Sequence, residues 1–310
     1  MRRFTIGRHG APWTPDTARE EARRLLGEVA GKGDPAADKK AKRAAMTVSE
    51  LCAAYWADAE AGRLLTRRKA PKKPSTLVTD KGRVEKHIKP LLGRLKVAAV
   101  TREDIESFMH AVAEGKTAAR TKTGKKGGLS NVRGGIGAAS RTVGLLGAIL
   151  TYAVRHRMRS DNPVHGVMRP ADGRRDRRLS DDEYAALGIA LRKAETLTIW
   201  PAAVAMVRFL ALTGWRSGEA LALRWAEVDL ARRTATLADS ETGRSMRSLS
   251  YAACDVLRGV SDAGELIFPP TRGHGRMTGF RKLWNRITSP SYSRGSPKPG
   301  QIALYCYIVM

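Results

Sequence analysis

The stretch Thr213-Gly214-Trp215-Arg216-Ser217-Gly218-Glu219-Ala220-Leu221 carries the most information in this chain. An apolar run over 201–212 precedes it and predicts a buried helix, after which Gly214 breaks the helical pattern. On spacing alone two interpretations of Arg216 are open: a surface arginine that follows a helix-breaking glycine, or a guanidinium that binds phosphate. The stretch continues as Leu223-Arg224-Trp225 and Val228-Asp229-Leu230.

Basic side chains outnumber acidic ones by 56 to 30 across the 310 residues, which gives a formal net charge of +26. Most of the surplus lies in residues 51–178, which carry 28 basic and 11 acidic side chains. A compact domain with such an excess repels itself unless a polyanion or salt screens it. We expect nucleic acid as the partner, because neutralising phosphates releases counterions. A general solubility surface is the plainer alternative.

The composition gives little support to other classes of protein. Cys52, Cys254 and Cys306 are widely spaced, so we expect no metal site, no cofactor and no disulfide framework, and a reducing cytoplasm fits. The best apolar candidate for a membrane span, Pro201 to Leu212, is too short and contains Arg208. The first residues lack the apolar core of a secretion signal. We expect a protein of the bacterial cytoplasm or nucleoid without a membrane partner.

Capping and periodicity predict a mainly helical chain. Residues 116–128, rich in Gly, Lys and Thr, are expected to be a mobile loop. Strand-like alternation over 233–238 and 244–249 predicts a small antiparallel hairpin that turns near Thr242-Gly243. The first predicted helices start at Asp16 or Thr17 and at Thr47, which has Glu50 three residues on. The next runs from Ser75 or Thr76 to about Ile88, where Pro90 stops it. The others start at Thr101, cover 138–158, start at Ser180 and cover 278–287.

Composition shifts divide the chain into five segments. Residues 170–178 carry four arginines and no large apolar side chain, so they are the expected linker. The predicted segments are 1–45, with one strand-like piece and one helix, 46–169 as a basic helical domain, the linker 170–178, 179–288 as a second domain, and 289–310 as a divergent tail without helical periodicity.

The stretch around Arg216 resembles the first arginine box of the tyrosine recombinases, the family of the phage integrases. The similarity covers about residues 1–289. It includes Thr101-Arg102-Glu103-Asp104-Ile105 and the helix exit Arg157-Met158-Arg159-Ser160-Asp161-Asn162-Pro163. In that family the arginine starts a helix and is aimed at the scissile phosphate. The resemblance implies that Arg216 donates two parallel hydrogen bonds to phosphate oxygens and that Glu219 holds Arg216 in place.

The resemblance also implies an architecture and a set of partners. A helical, SAM-like core-binding domain and a partial α+β catalytic domain would form a C-shaped clamp around double-stranded DNA, and residues 1–45 would be the remnant of an N-terminal arm-type DNA-binding module. Attachment-type DNA sites are the implied target, with an intact integrase or further copies of this chain as protein partners. The residues expected to meet DNA are Arg67, Arg68, Lys69, Lys72, Lys73, Lys122, Lys125, Lys126, Arg155, Arg159 and Arg244.

The chain departs from the family's catalytic pattern at the lysine that should lie on the hairpin. Glu241 stands at that position, and no lysine occurs between Lys193 and Lys282. Arg244 and Arg247 could supply positive charge, but an arginine is a poor proton donor at neutral pH.

The second catalytic box of the family, a His followed three residues later by an Arg, is also not found downstream of Arg216. His274 is the only histidine there, and its third neighbour is Met277. That spacing occurs only at His156 and Arg159, which we interpret as phosphate contacts or helix surface. The candidate nucleophiles follow no second box; they are Tyr292, Tyr305 and Tyr307.

The change of character after residue 288 suggests a frameshift or an abrupt truncation. We therefore expect a DNA-binding protein of the recombinase type that is catalytically impaired. The alternatives are an active recombinase with an atypical C-terminal nucleophile, a non-catalytic regulator that competes for integrase sites, and an unstable remnant whose Phe280 and Trp284 are short of partners.

Overall fold

The computed structural model describes residues 4–10, 12–124, 128–171, 179–196, 199–240, 243–262 and 264–288. The chain separates into two compact units, an N-terminal unit (Met1–Arg174) and a C-terminal unit (Arg175–Met310). The boundary between them falls within the predicted linker, of which residues 172–178 lie outside the described residues.

The N-terminal unit is helical apart from one short antiparallel hairpin, β1 (Ala119–Lys122) with β2 (Leu129–Val132). A π-helical turn over Val84–Ile88 joins two of its helices, and a 3-10 turn covers Val97–Ala99. Its helices are α1 (Pro15–Ala30), α2 (Pro35–Ala44), α3 (Val48–Glu60), α4 (Pro74–Arg83), α5 (Lys89–Leu92), α6 (Arg102–Ala113) and α7 (Ile136–Arg155).

The core of the N-terminal unit forms where α3, α5, α6 and α7 turn their apolar faces together. Leu51, Ile105 and Leu146 are fully buried there. Reciprocal capping starts two of these helices as predicted: the Glu50 N–H donates to Thr47 Oγ1, and the Thr47 N–H donates to the Glu50 carboxylate. Thr101 caps α6 with Asp104 in the same way.

Four expectations for the N-terminal unit were wrong. Pro90 does not end its helix, because the π-helical turn before it accommodates a residue that has no N–H and whose ring crowds the preceding carbonyls. Thr14, not Asp16 or Thr17, caps α1. The first segment holds a second helix, α2, which Asp34 caps. The expected mobile loop contains the hairpin strand β1, and its residues 125–127 lie outside the described residues.

The C-terminal unit packs helices against a three-stranded antiparallel sheet of order β3-β4-β5. The predicted hairpin is present, with Thr234 opposite Ser248 and Thr236 opposite Met246. The sequence did not predict the first strand, which is only two residues long. The elements are α8 (Asp181–Thr196), α9 (Pro201–Thr213), α10 (Ser217–Ala220), a 3-10 turn over Trp225–Glu227, β3 (Val228–Asp229), β4 (Thr234–Ser240), β5 (Gly243–Ser248), α11 (Tyr251–Arg258) and α12 (Phe280–Thr288).

Helix α9 runs through the core of the C-terminal unit. Phe209 packs against Phe268 and Trp215, and all three side chains are buried. Phe280 and Trp284 are also buried, so the expectation that their apolar faces lack partners was wrong: α12 packs on α8 and α9. The predicted fold class, mainly α with small antiparallel sheets, is confirmed.

Among the described residues, one helix, α7, is long and apolar enough to cross a membrane, whereas α9, which contains the segment Pro201–Leu212, is shorter, as expected. Leu146, Ile149 and Leu150 of α7 are fully buried in the core of the N-terminal unit. Its apolar composition is therefore explained by core packing.

Candidate nucleic-acid interface

A tight turn after α9 positions Arg216. Gly214 ends α9 in the left-handed conformation, with φ of 62°, which residues with a Cβ rarely adopt. Its N–H donates to the Leu210 carbonyl, and Trp215 then inserts its ring into the core against Phe209. Because Trp215 is anchored, the next residue emerges at the surface: the Arg216 side chain is 56% exposed.

The buried carboxylate of Glu219 lies next to two arginines, Arg216 and Arg247. Arg247 on β5 donates from Nη1 and Nη2 to the two carboxylate oxygens, at 2.9 and 3.0 Å. The Arg216 backbone N–H donates to Glu219 Oε2 at 3.1 Å, and Arg216 Nη1 lies 3.6 Å from Oε1. The Glu219 side chain is only 9% exposed. The Arg247 guanidinium also lies 5.0 Å above the Trp215 ring, so the turn, the strand and the carboxylate form one connected cluster.

The electrostatics of this cluster keep Glu219 ionised. Burial by itself raises the pKa of Glu219, but the hydrogen bonds from Arg247 and from the Arg216 backbone, together with both guanidinium charges, outweigh it. The net effect holds the pKa of Glu219 below its ordinary value. One carboxylate between two arginines leaves a local charge of +1, and the more exposed of the two cations is Arg216.

This arrangement can bind an anion at the surface. A guanidinium carries five N–H donors in a planar fork that matches phosphate oxygens, and the Arg216 side chain is 56% exposed, so an anion can reach it from solvent. The helix that Arg216 starts, α10, has only four residues, so its dipole adds little and the binding capacity comes from the side chain. Within the described residues, no cluster of side chains suited to a metal ion occurs.

No protein-family model and no curated protein matches the chain. Several solved structures do match it. A lambda integrase tetramer bound to a Holliday junction aligns with 17% identity and a TM-score of 0.61 over 96% of this chain and 78% of that one. A lambda integrase dimer bound to a COC' core site aligns with 17% identity and a TM-score of 0.59 over 82% of each chain. The chain has the tyrosine recombinase fold. The Tn1549 transposon integrase in complex with circular intermediate DNA also has this fold, with 14% identity and a TM-score of 0.56 over 83% of this chain and 82% of that one.

Within the tyrosine recombinase fold, the structure brings together the two residues that the resemblance singled out, Arg216 and Glu219. It adds Arg247, for which the sequence alone indicated only a source of positive charge. The alternation along β5 would have placed Arg247 on the more buried strand face. Its contact with Glu219, 28 residues away, depends on the tertiary structure.

Six of the predicted DNA contacts are exposed side chains at three places on the N-terminal unit. A tight turn between Leu65 and Pro71 carries Arg67, Arg68 and Lys69, all exposed, and Lys73 is exposed at the start of α4. Lys122 lies at the end of β1 and Arg155 at the end of α7, both exposed. These six of the predicted DNA contacts have the accessibility that a phosphate contact requires.

Three of the predicted contacts have other surroundings. Lys72 Nζ lies 2.7 Å from the buried carboxylate of Asp80, and the lysine side chain is 18% exposed. Arg159 is 6% exposed and donates to the Val97 and Val100 carbonyls, so it is neither helix surface nor an accessible phosphate contact. Arg244 is exposed but lies on the face of β5 opposite to Arg247, pointing away from Glu219.

The remaining candidates lie outside the described residues; they are Lys125, Lys126, Glu241, Tyr292, Tyr305 and Tyr307. Of the histidine positions, His274 is exposed and its third neighbour Met277 is buried, while His156 is exposed and stacks near Tyr152.

Proposed function

We propose that this chain binds double-stranded DNA at attachment-type sites of site-specific recombination, with Arg216 as a phosphate ligand. The observation that carries the proposal is the exposed Arg216 guanidinium, held beside the Glu219–Arg247 pair in a chain with the tyrosine recombinase fold. The +17 surplus of residues 51–178 and the exposed basic side chains of the N-terminal unit supply the sequence-independent attraction to phosphate.

We further propose that these 310 residues bind DNA without cleaving it. Downstream of Arg216 the sequence holds no His followed three residues later by Arg, and Glu241 stands where the family has a hairpin lysine. A carboxylate near a phosphate repels it and cannot replace an ammonium group as a proton donor. Without these groups, neither protonation of the leaving oxygen nor full neutralisation of the transition-state charge has a source.

DNA binding is tested with the full chain and a mixed-sequence duplex by fluorescence anisotropy over a range of salt concentrations. We expect steep salt dependence, and Arg216→Ala should weaken binding roughly tenfold and reduce the salt slope by about 1. Arg258→Ala is the matched control, because Arg258 is 53% exposed and pairs with Asp255 three residues away on the same unit. The phosphate role of Arg216 would be refuted if the wild-type protein did not bind duplex DNA at low salt, or if both variants lost the same amount of affinity.

Cleavage is tested with a nicked duplex that traps a covalent protein–DNA adduct, carrying the DNA site selected by the wild-type chain. We expect no adduct, while an active recombinase on its own site provides the positive control. A phosphotyrosyl adduct would overturn the non-cleaving proposal and favour the atypical nucleophile, which Tyr305→Phe and Tyr307→Phe would then locate.

We propose the bacterial cytoplasm or nucleoid as the location and, as protein partners on DNA, an intact integrase or further copies of this chain. A binder that cannot cleave would occupy sites that an intact integrase needs. Footprinting of an attachment site with the intact enzyme, in the presence and absence of this chain, tests that competition.

A further inference from the structure

The β1–β2 hairpin of the N-terminal unit has one face made for contact with a polar partner. Antiparallel pairing sets Arg120 opposite Asn131 and Lys122 opposite Leu129, so these four side chains share a face, and all four are exposed. The other face carries Ser130 and Val132 of β2, which are half-buried, and Ala119 and Thr121 of β1, which are exposed. The hairpin therefore presents an arginine, an asparagine and a lysine outward as a group.

The side chains of Arg120 and Asn131 on this outer face have hydrogen-bond donors and acceptors available for a partner. Within the part of the chain that the structure describes, no hydrogen bond or ion pair involves the side chains of Arg120 or Asn131. Arginine and asparagine both offer paired hydrogen-bonding groups in a fixed plane, which suits bidentate contacts.

The stem of the hairpin is firmly attached. The Gly135 N–H donates to the Val112 carbonyl at the end of α6, and the Ala118 N–H donates to the Gly115 carbonyl. Thr117 Oγ1 lies 2.6 Å from Nδ1 of His87, a buried residue of the π-helical turn. A ribbon held at its base from two helical segments presents its outer face in a defined orientation, as sequence reading requires.

We propose that the outer face of this hairpin reads base edges in the major groove of DNA, an inference that rests on the DNA-binding function proposed above. The major groove admits a two-stranded β-ribbon. Arginine pairs with the O6 and N7 of guanine, and asparagine with the N6 and N7 of adenine. Lys122 lies on the same face nearer the hairpin tip, where it contacts a phosphate.

The spacing of the pair fits adjacent bases. Directly opposed residues of an antiparallel pair have Cβ atoms about 5 Å apart, and successive base pairs are separated by about 3.4 Å. Arg120 and Asn131 therefore address neighbouring base pairs, and we expect a G·C pair next to an A·T pair in the preferred site.

The experiment starts by selecting preferred duplexes from a random library with the full wild-type chain. Affinities for the selected duplex and a scrambled duplex are then compared for wild type, Arg120→Lys, Asn131→Ala and the control Thr121→Ala, which alters the opposite face. Arg120→Lys keeps the charge but loses the bidentate fork. Circular dichroism and the thermal transition check that each variant is folded.

We expect Arg120→Lys and Asn131→Ala each to reduce the preference for the selected duplex by about 5- to 150-fold. Affinity for the scrambled duplex and the behaviour of Thr121→Ala should be unchanged. Preference that survives both substitutions, equal losses on both duplexes, or a wild type that binds every duplex alike would overturn the reading role while leaving DNA binding intact. A wild type that binds no duplex would instead refute the proposed function itself.

Discussion

Removing the Arg247 guanidinium should destabilise the C-terminal unit far more than removing that of Arg216, although both contact the same carboxylate. Arg247 makes two hydrogen bonds of 2.9 and 3.0 Å to Glu219 and is 28% exposed. Arg216 approaches Glu219 with its guanidinium only to 3.6 Å and is 56% exposed. Solvent screens the second contact much more than the first.

The expected magnitudes follow from this geometry. Hydrogen bonds to a charged group contribute about 1.5–3 kcal/mol, and loss of Arg247 leaves a 9% exposed carboxylate with a weaker partner. We expect Arg247→Met to lower the free energy of unfolding by about 1.5–3 kcal/mol. Methionine keeps an unbranched aliphatic stem and removes the guanidinium, so the change deletes its charge and N–H donors while sparing most of the apolar side chain. The exposed Arg216 pair is worth about 0–1 kcal/mol, so Arg216→Ala should be nearly neutral for stability.

Differential scanning calorimetry of the full chain measures these effects, and hydrogen exchange of peptides from α10 and β5 assigns them to the C-terminal unit. At about 3–5 °C per kcal/mol for a unit of this size, Arg247→Met should lower its transition by roughly 5–15 °C. Adding Glu219→Gln to Arg247→Met should recover part of the loss, because it removes the unpaired charge. A smaller loss for Arg247→Met than for Arg216→Ala would refute the reasoning.

Three further predictions concern charge and pH. Because the pKa of Glu219 is held below its ordinary 4.5 in the folded chain, its stabilising contribution is present above that pH and is lost as the pH falls through the folded value, so Glu219→Gln should flatten the acid limb of the calorimetric stability profile. Burial, with the nearby charge of Arg83 as a smaller cause, lowers the pKa of His87 below 6.5, so the unfolded chain binds the proton more readily and the N-terminal unit should lose stability as the pH falls below that value. His87→Gln should show a smaller loss of stability at low pH. A stability–pH profile that is the same in this variant as in the wild type would count against this account. Asp80→Asn should cost about 2–4 kcal/mol by stranding Lys72, whereas Asp161→Asn, at a carboxylate 69% exposed, should cost less than about 1 kcal/mol; equal melting temperatures for the two variants would contradict the burial argument.

Much of the helical framework was predictable because its signals are local. The Thr47–Glu50 pair starts α3 through hydrogen bonds that span three residues, so the sequence contains the whole motif. The periodic apolar residues of α6, such as Ile105 and Val112, are buried as their spacing indicates. The hairpin of β4 and β5 was likewise predictable, because apolar and polar residues alternate on both sides of a turn.

The errors arose where a local signal competes with packing. A proline usually ends a helix, but the helical path continues through Pro90 because the π-helical turn Val84–Ile88 precedes it. His87 of that turn is buried and lies beside Thr117. Strand β1 consists of Ala-Arg-Thr-Lys and lacks an apolar face, so it is recognisable only once its partner β2 lies beside it.

The amino-acid sequence alone determined the fold class, most helix starts and the surplus of positive charge, and it made Arg216 a candidate, because each depends on composition or on residues within a few positions of one another. Only the tertiary structure decided which basic side chains are accessible: Arg159 lies buried on backbone carbonyls, Lys72 pairs with Asp80, and Arg247 on β5 contacts Glu219. Burial and long-range pairing depend on elements distant in the chain. Local alternation can place a charged residue on one face of a strand, but it does not encode which distant side chain that residue will meet.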